Sequence, residues 1–466
     1  MSASVSNNYR KAFFEVFILG IVTISLPSKV IGYLAPFLCI AWFIIRANSG
    51  ATLVRLLLYL FCYFIVVCLY IGFYQFVKEE FVIQNSILIL LTYSSFIFFL
   101  ILPANLNFRE EDFLKYIKVI RIVIVVQSLL GVFQIFIYLV LNGGNFDSAT
   151  GDIVQGTLNP LSFLNPLGNF NNQIYTTNLL LLLLFYTPYA VYKKNGLGVC
   201  LLGFTALVLA SIWHLFIAFL LAIILVSIYF GLLLKGLSIS RVLIVFLLTI
   251  VISLTIFTQP KNFSLISHYF EKLTSGESPK ATVALNSVIE LPKDFPWVIL
   301  IGLGPGQYSS RAGLIGTGKY FGDFNDPQKL PLLEERSSLA FAKYVYPYWE
   351  EVATNVPKYG NSTMARPFFS ILSIITEFGW ILFLILFAVI IFFIKGIKRI
   401  FQKRTTESNS LKASYAYACA ILVLFFVIFS FFENYLEVPQ AIFLGFLMFK
   451  YFFEYSKNES AISERT

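Results

Sequence analysis

Uninterrupted apolar sequence constrains this chain more than anything else. Leu197–Leu234 contains no Asp, Glu, Lys or Arg, and Leu53–Phe76 contains only Arg55. A bilayer core about 30 Å thick needs roughly 20 apolar residues per helical crossing. Comparable runs recur to the end of the chain, which excludes a cleaved leader or a single anchor. Only 13% of residues are charged, against about one quarter in a soluble domain. No soluble fold accommodates that balance, and an all-α polytopic membrane protein is expected.

Twelve helices are predicted, near residues 12–27, 30–46, 53–76, 83–102, 117–141, 173–192, 197–211, 214–234, 241–258, 368–394, 412–432 and 439–455. With the N-terminus inside, the basic groups Arg46, Arg109/Lys115/Lys118, Lys193/Lys194, Lys235/Arg241 and Lys395–Arg404 all fall on the same side. The tail with Lys457 and Arg465 joins them, as the positive-inside rule requires. Both termini are therefore expected in the cytoplasm. Two segments then face outward. Asn142–Asn172 is rich in Asn and Gly and carries no Lys or Arg. Gln259–Arg366 carries eleven Lys/Arg and ten Asp/Glu, and is too long for a structureless connection. It opens with Phe263, Ile266, Phe270 and Leu273 at helical spacing, the pattern of an interfacial helix. The expected organisation is helices over 1–258, an extracytoplasmic cap over 259–366, and the last helices and tail over 367–466.

The net charge of +9 does not indicate nucleic acid, because the basic residues sit in short loops without a continuous stripe. Cys39, Cys62, Cys68, Cys200 and Cys419 all lie in apolar runs, and His214 and His268 are the only histidines. Neither a disulfide framework nor a protein-built metal site follows from that pattern, and no cofactor is expected. Transporters place ionisable groups at mid-membrane in repeated halves. Here polarity is gathered into one asymmetric outer loop.

Four places carry possible chemistry. Ile301-Gly302-Leu303-Gly304-Pro305-Gly306-Gln307-Tyr308, followed by Ser309, Ser310 and Arg311, makes a tight turn whose backbone N–H groups suit an anion. Arg311 adds a permanently charged fork; the alternative is an ordinary turn with a solvated arginine. Ser211-Ile212-Trp213-His214 interrupts a long apolar run, and His214 is either a phosphate or proton partner or an interfacial imidazole. Glu377, at membrane depth among apolar residues, is either a general base or a hydrogen-bond acceptor that orients an arginine. Arg366 lies just before it. Tyr344-Val345-Tyr346-Pro347-Tyr348-Trp349-Glu350-Glu351 offers either sugar-stacking aromatics or an interfacial belt.

Taken together and in order, these segments resemble the O-antigen polymerase and O-antigen ligase superfamily of bacterial membrane glycosyltransferases. Gly168-Asn169-Phe170-Asn171-Asn172-Gln173-Ile174-Tyr175 looks like the family's Gly/Asn-rich start of a span. Ser211–His214 looks like its Ser-Arg break, Gly302–Gly306 like its Gly-x-Gly-Pro-Gly turn, and Glu377-Phe378-Gly379 like its Glu-x-Gly. Two departures stand out: Trp213-His214 replaces the family's arginine. The histidine that ligases place ahead of Glu-x-Gly is missing, and Arg366, Pro367 and Phe368 occupy that stretch.

The resemblance implies a C-type glycosyltransferase bundle and a metal-independent, inverting transfer from an undecaprenyl-pyrophosphate-linked glycan. Arg311 and Arg366 would hold the pyrophosphate, and Glu377 would activate the acceptor or orient an arginine. His214, Asn172, Gly304, Gly306 and Arg336 would complete the substrate site, with Tyr346 and Trp349 along the glycan path. The missing histidine favours polymerisation of repeat units over ligation to lipid A-core or protein, and a lipid-linked-sugar flippase is the rival from another class. Membrane lipid, a chain-length regulator and a flippase of the same pathway are the expected partners, at a bacterial plasma membrane.

Overall fold

The computed structural model describes residues 3–103, 106, 108, 110–144, 152–164, 171–232, 271, 278–321, 333–355, 368–407 and 410–458. Helices α1 (Ala3–Ile24), α2 (Lys29–Ala47) and α3 (Gly50–Val77) are followed by α4 (Ile83–Thr92), α5 (Ser94–Ile101) and α6 (Glu110–Leu141). Helices α7 (Asn172–Lys193), α8 (Leu197–Ala210) and α9 (Trp213–Tyr229) complete the first part. A cap follows, with α10 (Pro279–Ile289), α11 (Leu291–Asp294), α12 (Arg311–Gly316), α13 (Leu339–Tyr344) and α14 (Tyr346–Asn355). The chain returns through α15 (Ser370–Thr406), α16 (Ser410–Phe429) and α17 (Pro439–Lys457).

Six of these helices are individually long and apolar enough to cross a bilayer: α2, α3, α6, α7, α15 and α16. The chain is thus a polytopic helical membrane protein, but the expected count of twelve is not reached. The predicted span 83–102 is two helices, α4 and α5, bent by 60° at Tyr93. α8 and α9, with 14 and 17 residues, are too short to cross alone. α1 carries Arg10, Lys11 and Glu15, and α17 carries Lys450, Glu454 and Lys457, so both are less uniformly apolar. The predicted span 241–258 and the interfacial helix of Phe263, Ile266, Phe270 and Leu273 lie outside the described residues.

α17 is the axis of the bundle. It is buried on nearly every side, Lys450 and Glu454 included, and packs against α1, α2, α5, α7 and α16. Aromatic rings fill this core: Tyr116 stacks on Tyr451 with centroids 3.7 Å apart, and Phe185 on Phe452 at 4.9 Å. α3 and the second half of α15 are the opposite case. Leu57, Phe61, Phe64 and Leu69 on one, and Leu384, Ile385, Val389 and Phe392 on the other, are exposed. An apolar surface of that extent requires an apolar surrounding such as lipid.

Basic side chains gather at the end of the bundle away from the cap, where they cap helix C-termini. Arg404 donates through Nε to the Ser456 carbonyl at 2.8 Å, and Lys398 to that of Tyr229 at 2.7 Å. Arg46 pairs with Glu15 at 2.7 Å.

The cap has a core of its own, with Leu291, Phe295, Tyr308, Leu314, Phe341, Val345 and Trp349 buried together with Tyr33, Leu88 and Ile89 of the bundle. The first half of the broken span, α4, runs beneath it. Val82 pairs its N–H and its carbonyl with the side chain of Gln307 at 3.0 and 2.9 Å, and Ser86 donates to the Pro305 carbonyl at 2.8 Å.

Candidate functional site

α15 is interrupted at Gly379, whose backbone (φ 79°, ψ 167°) is not helical. A break of this kind strips the preceding carbonyls of their partners one turn on. The Gly-Pro-Gly turn of the cap supplies the replacements: Leu303 N–H donates to the Thr376 carbonyl and Gly304 N–H to that of Glu377, both at 2.8 Å. The fit is backbone to backbone, and a Cβ at Gly379 would strike the Leu300 carbonyl.

The same turn holds an anion, as its glycines predicted, but the anion is internal. Glu377 Oε2 accepts from Gly306 N–H at 2.7 Å, while Oε1 accepts from the N–H groups of Tyr308 and Ser310, each at 3.0 Å. Gly306 adopts φ 76°, and a Cβ there would lie 2.5 Å from the Asn85 carbonyl oxygen. Three donors committed to a fully buried carboxylate leave the turn nothing with which to bind a substrate phosphate. The role expected of Gly304 and Gly306 as exposed anion binders is therefore corrected. The Glu377 carboxylate braces the cap, and among the described residues no arginine side chain bonds it.

Arg311, at the N-terminus of α12, is 3% exposed. Its guanidinium lies 5.5 Å from the ring centroids of Tyr320 and Tyr435, within cation–π range of both. Nη1 donates to the Tyr320 hydroxyl at 2.8 Å, and that hydroxyl lies 2.9 Å from the Tyr33 hydroxyl. Its backbone N–H donates to Glu437 Oε2. Arg311 Nε and Nη2 are buried with no hydrogen-bond partner among the described residues. Glu437, in the turn between α16 and α17, is wholly buried, and burial pushes its carboxyl up to about 8 despite the Arg311 N–H.

A polar chain links this arginine to the α8–α9 break. Tyr435 donates to Gln173 Oε1 at 2.6 Å, and Gln173 Nε2 lies 3.1 Å from His214 Nε2. Ser211 (φ 55°) makes the break. Glu433 Oε1 stands 3.8 Å from His214 and 3.6 Å from Lys280 Nζ.

The other expected residues fall elsewhere. Asn172 bonds Asp152 at 2.8 Å, and its neighbour Gln173 enters the network in its place. Arg336 pairs with Glu334 at 2.8 Å on the exposed cap surface. Trp349 is wholly buried against Phe368 and Tyr346, so it is core, not a sugar platform. Tyr346 accepts from Lys319 Nζ at 2.6 Å and donates to Glu350. Arg366 lies outside the described residues.

Sequence reading missed Tyr33, Lys280, Tyr320 and the turn Glu433-Asn434-Tyr435-Leu436-Glu437. A signal existed: that short connection places two carboxylates and an asparagine between apolar helices. Among the described residues, no three His, Cys, Asp or Glu side chains assemble as metal ligands. No protein-family model matches this chain, and no curated protein or solved structure is a significant match to it.

Proposed function

We propose that the chain is a polysaccharide polymerase that joins undecaprenyl-pyrophosphate-linked repeat units at the outer face of a bacterial plasma membrane. The observation that carries this reading is the Arg311 guanidinium, buried at the junction of cap and bundle with two nitrogens, Nε and Nη2, unspent among the described residues. A buried charge without a carboxylate fork is costly unless a bound anion completes it. A pyrophosphate accepts the planar pair of donors that a guanidinium offers. Tyr320 and Tyr435 hold the group in place without neutralising it.

The resemblance to membrane glycosyltransferases supplies the reaction class. An acceptor hydroxyl attacks the anomeric carbon as the bond from that carbon to the carrier pyrophosphate breaks; the pyrophosphate leaves on Arg311, with Arg366 as the second cation, and takes up the hydroxyl proton. Glu377 is assigned a positioning role, because its carboxylate holds the turn that carries Arg311. The predicted orientation, with the cap outside and both termini in the cytoplasm, belongs to the same proposal.

The test is polymer formation by the purified protein from lipid-linked repeat units. Arg311→Ala should abolish it, and Arg311→Lys should restore little, since a point charge cannot reproduce a two-pronged contact. Wild-type polymer length from Arg311→Ala would remove the arginine from the site. In a deletion strain, single repeat units on the carrier mark a polymerase and stranded long chains a ligase.

A further inference from the structure

The turn between α16 and α17 does more than face Arg311. Its main chain is tied down, because Ser370 N–H donates to the Glu433 carbonyl at 3.1 Å and Ile371 N–H to that of Ser430 at 3.2 Å. The turn thereby caps the N-terminus of α15. Three of its side chains are left incomplete: Glu437 Oε1, beside Arg311, and two that are adjacent in sequence. Glu433 and Asn434 are 2% and 3% exposed, yet Glu433 Oε2 and Asn434 Nδ2 have no hydrogen-bond partner among the described residues. An acceptor and a donor, adjacent in sequence and both withdrawn from solvent, stand unspent where buried polar groups are almost always paired.

The neighbours of Glu433 are polar and partly exposed. Lys280 and His214, which flank Glu433 Oε1, are 21% and 23% exposed, so the carboxylate lies one layer beneath an accessible seam. Lys280 Nζ also donates to the Phe432 carbonyl at 2.6 Å. Tyr435, one residue after Asn434, lies against the Arg311 guanidinium. A single short turn therefore presents an unspent carboxylate oxygen and an unspent amide nitrogen beside the proposed pyrophosphate site.

We propose that Glu433 and Asn434 form a saccharide subsite that binds neighbouring hydroxyls of the sugar attached to the carrier pyrophosphate. This rests on the glycosyl-transfer reading above. Glu433 Oε2 accepts from one hydroxyl and Asn434 Nδ2 donates to the next, a pairing that suits a ring bearing alternating donor and acceptor oxygens. The subsite selects for those hydroxyls, because a sugar lacking one leaves a buried protein group unpaired.

The test is equilibrium binding to the purified full chain in nanodiscs. The probes are undecaprenyl pyrophosphate and the same carrier bearing one glucose, galactose, rhamnose, N-acetylglucosamine or N-acetylgalactosamine. At least one glycosylated carrier should bind about tenfold tighter than the bare carrier, the value of a single good polar contact. Glu433→Gln and Asn434→Leu should each remove that gain without changing affinity for the bare carrier. Asn434→Leu also deletes an unpaired buried donor, so its melting temperature should hold or rise; a purely structural asparagine would lose stability instead. A sugar gain that survives both substitutions, or no gain with any sugar, overturns the subsite. Bare carrier that binds equally to wild type and Arg311→Ala overturns the pyrophosphate reading instead, so the two failures are distinct.

Discussion

Replacing Glu377 with glutamine separates a brace from a base. The carboxylate accepts three backbone N–H groups, two on Oε1 and one on Oε2. A glutamine can keep its oxygen on Tyr308 and Ser310, but its amide nitrogen then points at the Gly306 N–H, donor against donor. One charge-assisted bond worth about 1.5–3 kcal/mol disappears, and the other two lose their ionic component. Relief from burying a charge offsets part of this, leaving a net cost of about 3 kcal/mol. That corresponds to roughly a hundredfold more frequent opening of the turn. Hydrogen exchange at Gly306, Tyr308 and Ser310 reads this opening directly, and should quicken about a hundredfold while the bundle core is unaffected. Polymer formation should fall in proportion to the closed fraction and recover on cooling. If the glutamine variant instead exchanges like wild type and loses roughly 10²–10⁴-fold in rate, the bracing role is wrong and Glu377 is a general base.

Three further outcomes follow from the same geometry. Gly379→Ala combines a left-handed φ with a collision against the Leu300 carbonyl, so it should lower the detergent melting temperature more than Gly396→Ala, a position with open space around it. Glu437, raised from its ordinary 4.5 to about 8, binds its proton more tightly in the folded chain. Its contribution to stability should therefore be fully present below pH 4.5, be lost progressively as the pH rises toward 8, and level off beyond; Glu437→Gln should remove that part of the slope from the melting profile. In a chain without its native cysteines, a cysteine at Ser278 should react with an impermeant thiol reagent from outside the cell and one at Glu407 should not; the reverse pattern would invert the proposed orientation.

The apolar runs were legible because lipid-facing helices need length and hydrophobicity rather than any particular pattern. The bend at Tyr93 was not, since Thr92-Tyr93-Ser94-Ser95 contains neither Gly nor Pro to announce it. The Gly-Pro-Gly turn announced an anion site, yet its anion lies 71 residues away, a distance no local reading spans. Glu377 was visible as a buried charge, but nothing local showed that its donors are three backbone N–H groups of the cap. Tyr346 and Trp349 looked like a platform because alternating aromatics fit either a surface or a core; α14 turns Trp349 inward. Arg311 was singled out for its fork, whereas its companions Tyr33, Tyr320, Tyr435 and Glu437 come from three separate segments and converge only in the fold.

The interlock at Gly379 bears on how such chains can be recombined. Thr376 and Glu377 belong to a helix of the bundle, while the groups that complete them belong to the cap. A transplanted cap without this turn would bring no N–H groups to the Glu377 carboxylate, and the helix would keep two bare carbonyls. Exchange of caps between homologues should therefore succeed only when residues 376–379 travel with the loop, which sets the natural crossover point inside α15 and not at its start.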